Sequence, residues 1–413
     1  MKILLYGINY LPELTGIGKY TGEMAEWLTQ QGHNVHVVTA PPYYPEWKVS
    51  KKYSSIFYRY EIINGVHVWR CPLWVPSRPS GLKRILHLAS FSLSSFPIMM
   101  SKIFWRPNII LVVEPPLFCA PTTLLTAWFC RARSWLHIQD FEVDAAFDLG
   151  FISSKWLRSF FLKIEKKLMS QFDKVSTISE KMIFRLEAKG AQSERQVFFP
   201  NWVDIDYIYP LKKSSKLRVQ LEIPNSSIVF LYSGNMGKKQ GLEIIIDSAR
   251  RLLGNENIIF VMCGDGSAHR QLRKLAEGLN NIFWLPLRPL DKLNDLLNMA
   301  DVHLLPQKSD AADLVMPSKL TGMFASGRPV LATAFEGTQI AKVVESSGAG
   351  VVVPPENVAA FIKALLDLAE DEALRQLLGK NARNYAVEYL GREVVLKQFN
   401  EVLDSCCVNN KLS

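Results

Sequence analysis

The chain has 413 residues, 48% hydrophobic and 21% charged, a balance that excludes disorder and leaves room for two or three domains. Lys plus Arg number 48 and Asp plus Glu 39, for a net charge of +9. The excess is local: residues 51–106 hold nine basic residues against Glu61 alone, residues 151–195 hold ten against five, and residues 207–413 hold 24 against 22. A basic half can face a nucleotide, a nucleic acid or anionic lipid. No nucleic-acid motif accompanies the charge, so nucleic acid is not an expected partner. Six cysteines without a CxxC argue against a disulfide scaffold or structural zinc and favour a reducing compartment. The start MKILLYGINYLPE meets Pro12 and Glu13 too soon for a signal peptide, and no apolar window reaches 18 residues. The expectation is a cytoplasmic protein.

In chain order, MKILLYGI reads as a first buried strand, IGKYTGEMAEWLTQQG as a helix closed by Gly32, and NVHVVTA as a second strand. NIILVVEPP, SWLHIQD and KVSTIS continue as short buried strands bounded by proline or charge. After a polar stretch with Pro210 and Pro224, SIVFLYSG restarts the alternation, followed by NIIFVMCG, NIFWLPL, VHLLPQ, PVLAT and GVVVP. Two series of strands alternating with helices predict an α/β protein of two parallel-sheet domains. These are expected at 1–205 and 206–389, with a final helix at about 390–405 long enough to cross back onto the first domain.

The loop after the first strand contains Gly16 and Gly18, where backbone N–H groups at a helix start can approach an anion. A nicotinamide fold would want GxGxxG there and an acid ending the second strand, which instead ends Thr39-Ala40-Pro41-Pro42. The second series opens with Ser233-Gly234-Asn235-Met236-Gly237-Lys238-Lys239-Gln240-Gly241, a candidate diphosphate cradle without P-loop spacing. The next strand ends at Cys263-Gly264-Asp265-Gly266, where a flat base has room against backbone. Either loop alone also fits a plain turn. One per domain, each after a strand, they suggest a cleft between two nucleotide-sized folds.

Residues 310–319 add Asp313, Pro317, Ser318 and Lys319. Ser318 is expected to cap the following helix, with Lys319 reaching phosphate or ribose, although a capped helix with a solvated lysine fits equally. Asp140 ends a strand at the carboxyl edge of a sheet, with Glu142 and Asp144 following. At that edge it can face a bound ligand, or merely cap a turn. His137 reads as a packed core histidine. Asp204-Ile205-Asp206 spells DxD but reads as an inter-domain turn, and no metal is expected.

Two segments suggest lipid. Residues 81–106 combine Lys83, Arg84, Lys102 and Arg106 with Phe91, Phe96, Phe104 and Trp105. Residues 151–168 set Trp156, Phe160, Phe161 and Ile164 among Lys155, Arg158, Lys163, Lys166 and Lys167. Basic heads beside aromatic bodies suit a membrane interface, with Trp105, Lys155, Trp156, Arg158, Lys163 and Lys167 expected to face it. The alternative is helices packed on the sheet with basic outer faces.

The motif order resembles the GT-B glycosyltransferases of family 4, through PELTGIGKY, WLTQQGHNVHVVTA, HIQD, KVSTISEKM, FFPNWVDID, YSGNMGKKQGLE, MCGDG and PSKLTGMFASGRPV. The longer runs TAPPYYPEW and LHIQDFEVDAAFDLG are similar to a narrower group, the colanic acid glycosyltransferases of the WcaI type. The resemblance implies two Rossmann-like domains facing across a cleft, acceptor side first and nucleotide-sugar side second. It implies a retaining transferase without metal or cofactor. The narrower likeness implies GDP-L-fucose as donor, a polyprenyl-diphosphate-linked sugar as acceptor, exopolysaccharide as product and peripheral attachment to the inner membrane.

Departures from the family pattern are informative. Asn235 and Gln240 stand where the family places an arginine and a lysine, leaving the charge to Lys238 or Lys239. Gly322 stands at the place of the second donor-site glutamate, with Asp313 near the first. The family's histidine falls at Gln139 rather than His137, which makes Asp140 the expected catalytic acid with Asp313. A nucleotide-sugar epimerase of the same fold, or an inactive sugar-nucleotide-binding relative favoured by Gly322, are the competing readings.

Overall fold

The structure is a computed structural model and describes residues 1–13, 16–77, 80–144, 155–211, 215–309 and 317–408. The chain divides into two compact units, Met1–Pro200 with Leu396–Ser413, and Asn201–Val395.

The first unit carries strands β1 (Lys2–Tyr6), β2 (Asn34–Thr39), β3 (Arg59–Ile63), β4 (Val66–Arg70), β5 (Ile109–Glu114), β6 (Arg133–Ile138), β7 (Lys174–Thr177) and β8 (Gln196–Phe198). They form one sheet in the order β3-β4-β2-β1-β5-β6-β7-β8. Central strands covered on both faces must be apolar throughout, which is why β1 and β5 read KILLY and IILVVE. Every pairing is parallel except β3 with β4. That hairpin corrects the all-parallel expectation. It turns on Asn64-Gly65 with φ of 48° and 82°, the left-handed pair a two-residue hairpin requires. Edge position explains why β3 has no buried run: Tyr60 and Ile62 are exposed.

The second unit holds β9 (Ile228–Ser233), β10 (Ile258–Cys263), β11 (Ile282–Leu285), β12 (Val302–Leu305), β13 (Val330–Thr333) and β14 (Gly350–Val353). All pair in parallel, in the order β11-β10-β9-β12-β13-β14. Alternate residues of β9 feed opposite cores, Phe230 and Tyr232 on one face, Val229 and Leu231 on the other. In each sheet the chain reverses its direction of travel once, between β1 and β5 and between β9 and β12. Loops leaving those strands diverge, and the crevice they leave at the carboxyl edge is where α/β sheets hold ligands.

The DxD segment is a turn. Asp204 Oδ1 accepts from Asp206 N (3.1 Å) and Tyr207 N (3.0 Å), and Oδ2 pairs with Arg392 at 3.0 Å. The final helix, Arg392–Val408, begins in the second unit and belongs to the first from Leu396 onward. There Phe399 stacks on Phe199 (centroids 4.1 Å apart) and meets Trp135 edge-on at 5.1 Å. Phe399→Ala should therefore destabilise the first unit by about 3–5 kcal/mol, the usual cost of an aromatic-sized core cavity. Urea unfolding followed by near-UV circular dichroism checks this.

Candidate functional site

At the switch point of the second sheet, the loop after β9 lies directly on the loop after β10. Gly234 N donates to Cys263 O (2.9 Å), Met236 N to Asp265 O (2.8 Å) and Ala268 N to Met236 O (2.8 Å). A Cβ at position 264 would sit 1.9 Å from Gly234 O, and φ there is 143°. Only glycine fits.

Lys319 rises beside this contact. Its Nζ stands 4.3 Å from the centroid of the Tyr232 ring, and its Cδ would lie 3.6 Å from a Cβ on Gly234. Tyr232 is held in turn by its hydroxyl donating to Asn235 O at 2.6 Å. Among the described residues no carboxylate lies within ion-pair distance of Lys319. Burial pushes its pKa down to about 7. A partly buried ammonium between the glycine loop and the start of the helix Ser318–Ala325 is suited to a multiply charged anion such as a diphosphate.

The structure thus brings together Gly234, Asn235, Gly264 and Lys319. Lys238 and Lys239 lie exposed in the short turn Lys238–Gln240, and Gln240 Oε1 is buried without a hydrogen-bond partner. Ser318 is not the helix cap: Pro317 takes that place, and Ser318 is the exposed first residue of the helix Ser318–Ala325. Proline, lacking a side-chain acceptor, leaves the first N–H groups of that helix uncapped. Asp313 lies outside the described residues. Arg288 escaped the sequence reading. It follows β11, whose Leu285 O accepts from Gly264 N at 3.0 Å, and its buried Nε has no partner. A lone arginine without a motif carries no signal.

In the first unit the glycines serve packing more than an anion. A Cβ on Gly18 would lie 2.8 Å from Glu13 Cβ, while Gly16 opens the helix Gly16–Gln30 with φ of 58° and open space around it. Glu13, missed from sequence, is buried and fully used. Its Oε1 accepts from Tyr43 N and Tyr44 N, both at 2.9 Å, and its Oε2 from Asn9 Nδ2 at 2.8 Å.

His137 is the packed core histidine expected. Its ring nitrogens meet Ser176 Oγ (2.9 Å) and Gln139 Nε2 (2.8 Å), and burial lowers its pKa to about 3. Asp140 emerges exposed beyond β6. The residues after it are anchored by Glu142, whose Oε2 accepts from Leu117 N at 2.6 Å. Burial raises the Glu142 pKa to about 7 against that hydrogen bond, with Asp140 and Glu165 adding to the rise. Asp144 pairs with Arg185 and Lys189, each at 3.0 Å, and Lys189 also bonds Glu165.

Trp105 packs inward, its ring stacked on His36 with centroids 3.6 Å apart, and its neighbour Phe104 is 90% exposed instead. Along the helix Lys155–Met169, Trp156 (71% exposed) stacks on Phe160 at 5.7 Å, with Ile164 one turn on. Arg158, Lys163 and Lys167 are exposed, while the Lys155 side chain lies outside the described residues. Among the described residues no helix is long and apolar enough to cross a membrane.

With this geometry in place, comparison with known proteins is specific. Residues 15–202 match the glycosyl transferase 4-like domain, and residues 213–385 match the glycosyl transferases group 1. The chain is 46% identical over 410 residues to an Escherichia coli (strain K12) protein named as a colanic acid biosynthesis glycosyl transferase, WcaI, covering 97% of this chain and 98% of that one. It is 20% identical to N-acetyl-alpha-D-glucosaminyl L-malate synthase of Bacillus anthracis, over 97% of both chains. Among solved structures, sucrose-phosphate synthase from Thermosynechococcus elongatus superposes with a TM-score of 0.75 at 18% identity over 99% of both chains. Anabaena HepE in complex with UDP and glucose gives 0.71 at 14% identity, over 98% of this chain and all of that one. At such identities the solved structures speak for the fold.

The Lys319 geometry has a double consequence. Its folded pKa near 7 lies below the unfolded value near 10.4, so the unfolded chain binds more protons between them and stability rises with pH across that window. Lys319→Met should therefore stabilise the free protein at pH 7 while weakening pyrophosphate binding by about tenfold or more. Thermal melts and calorimetric titration with pyrophosphate, run on the same samples, read both signs.

Proposed function

The chain belongs to the glycosyltransferases of the GT-B fold, and from that premise we propose that it moves a sugar from a nucleotide diphosphate to a lipid-linked acceptor with retention of configuration. The observation that carries the donor half is Lys319 standing beside Gly234 over Tyr232, a desolvated cation with no described counter-ion. A nucleoside diphosphate supplies that counter-ion. As the sugar–oxygen bond breaks, charge grows on the departing diphosphate, and a cation already stripped of water stabilises it without reorganisation. The departing diphosphate takes the acceptor proton on the face it leaves, so no protein nucleophile is needed. Asp140, at the carboxyl edge of the first sheet, orients the acceptor hydroxyl or faces the cationic sugar.

GDP-L-fucose is the donor and a polyprenyl-diphosphate-linked sugar the acceptor in this reading, within the assembly of a colanic-acid-like exopolysaccharide. The 46% identity to the E. coli colanic acid glycosyl transferase across nearly the whole of both chains supports the colanic-acid part of that assignment. A panel of nucleotide-sugars incubated with polyprenyl-diphosphate-linked glucose should give a fucose mass increment from GDP-fucose alone, and Asp140→Asn should cut transfer by about a hundredfold or more. Transfer from another nucleotide-sugar would replace the donor; full turnover by Asp140→Asn would remove that residue from the mechanism.

The acceptor's tail stays in a bilayer, so the enzyme works at the membrane surface. The stripe Trp156–Phe160–Ile164, flanked by Lys163 and Lys167, has the composition of an interfacial helix, each basic residue near an anionic surface contributing about 1 kcal/mol. Liposome flotation should rise with anionic lipid and fall with salt. Changing Arg158, Lys163 and Lys167 to glutamate should abolish it and leave nucleotide binding intact, whereas unchanged flotation would return this face to ordinary solvent exposure.

A further inference from the structure

The run Ala40-Pro41-Pro42-Tyr43-Tyr44-Pro45-Glu46-Trp47, which the donor chemistry leaves without a role, builds an aromatic cluster after β2 in the first unit. Trp47 holds φ at 52°, a left-handed backbone that a bulky side chain rarely adopts. Such strain persists only where the surroundings impose it, and it concentrates at ligand sites. The surroundings are visible: Glu13 grips the N–H groups of Tyr43 and Tyr44, and Lys48 N donates to Tyr43 O at 3.1 Å.

Beneath Trp47 lies His87, wholly buried on the helix Gly81–Trp105. The Tyr43 and Trp47 rings pack on it with centroids at 4.7 and 5.3 Å. Its Nδ1 meets Trp74 O at 2.7 Å, and a carbonyl only accepts, so the proton sits on Nδ1. Nε2 is then a bare lone pair, buried and without a hydrogen-bond partner. A buried acceptor left unmatched costs stability unless something outside the chain completes it. The exposed Arg84 guanidinium stacks 5.3 Å from the same indole, with no described acid in ion-pair distance.

We propose that Trp47, His87 and Arg84 form the acceptor subsite, taking a sugar bound through phosphate to its lipid. His87 Nε2 is covered by the Tyr43 and Trp47 rings in the free chain, so binding parts them: one hydroxyl then donates to Nε2, the apolar face of the sugar lies on the displaced indole, and the phosphate meets Arg84. Each of the three groups matches one part of a glycosyl phosphate, and Trp47 relaxes from its strained backbone as it admits the ring. This assignment rests on the glycosyl-transfer reading and names the acceptor's place within it.

The test is calorimetric titration of the full chain with a soluble probe, decyl-diphosphate-linked glucose, beside titration with GDP. Trp47→Ala and His87→Asn should each weaken probe binding about tenfold or more with GDP affinity unchanged. Asparagine can still donate to Trp74 O but offers nothing at Nε2, so His87→Asn should melt somewhat lower through its smaller volume yet fold, as its unchanged GDP affinity reports; Trp47→Phe should recover most of the binding. Wild-type probe affinity in either Trp47→Ala or His87→Asn overturns the subsite. If the wild type still transfers sugar in that case, glycosyl transfer stands without it, whereas a wild type that transfers nothing to this probe from any nucleotide-sugar defeats both.

Discussion

Two loops of the second unit are joined by main-chain hydrogen bonds. Because a side chain at position 264 would collide with the Gly234 carbonyl, the loops after β9 and β10 approach to backbone hydrogen-bonding distance, and the contact holds Gly234 and Met236 in place. The position of Gly234 decides what Lys319 lies against, and Met236 leads into the turn that carries Lys238 and Lys239. The cation is therefore placed by Tyr232 and by glycine geometry, with no described carboxylate to hold it. A cation placed without a described counter-charge is the arrangement that the proposed donor chemistry calls for.

The first unit fixes its loops by the opposite means. Glu13 binds the main chain of Tyr43 and Tyr44, and Glu142 binds that of Leu117, so buried carboxylates do there what bare backbone does in the second unit. Burying a carboxylate is costly unless hydrogen bonds or cations replace its water. Glu13 meets the condition in part, its three donors set against a burial that still raises its pKa, and Asp144 meets it with two cations. Glu114 does not: one of its oxygens is buried without a partner, and burial, reinforced by Glu142 and Glu165, raises its pKa well above the usual carboxylate range. Glu114 and Glu142 are thus both shifted toward the protonated form, beside the residues that follow Asp140.

Strands buried on both faces were legible because such strands leave an apolar run in the sequence, and β1, β5, β9 and β10 all do. The β3–β4 hairpin was not, because its edge strand alternates with solvent and its one signal, Asn64-Gly65, is two residues long. The candidate site residues divided in the same way. Lys319, Gly234 and Gly264 announce themselves through glycine spacing and a helix start, which are local facts. Glu13, His87 and Arg288 depend on what faces them from other elements, and a single sequence holds no record of that. Ser318 misled for a physical reason: serine and proline both suit a helix start, and their order alone does not say which one caps. Trp105 misled because a basic aromatic helix end looks alike whether its indole faces lipid or stacks on His36.

The helix Arg392–Val408 ties the first unit's completion to a stretch made after the second unit. Phe399 fills the space against Trp135 and Phe199, yet the intervening Asn201–Val395 must be made first. At about 5–20 residues per second that interval lasts on the order of 10–40 s. Throughout it the first unit has its sheet but lacks one wall of its core, while the second can close on its own. Synthesis order and completion order are thus inverted: the unit whose strands are made earlier waits for the later one before its core can close.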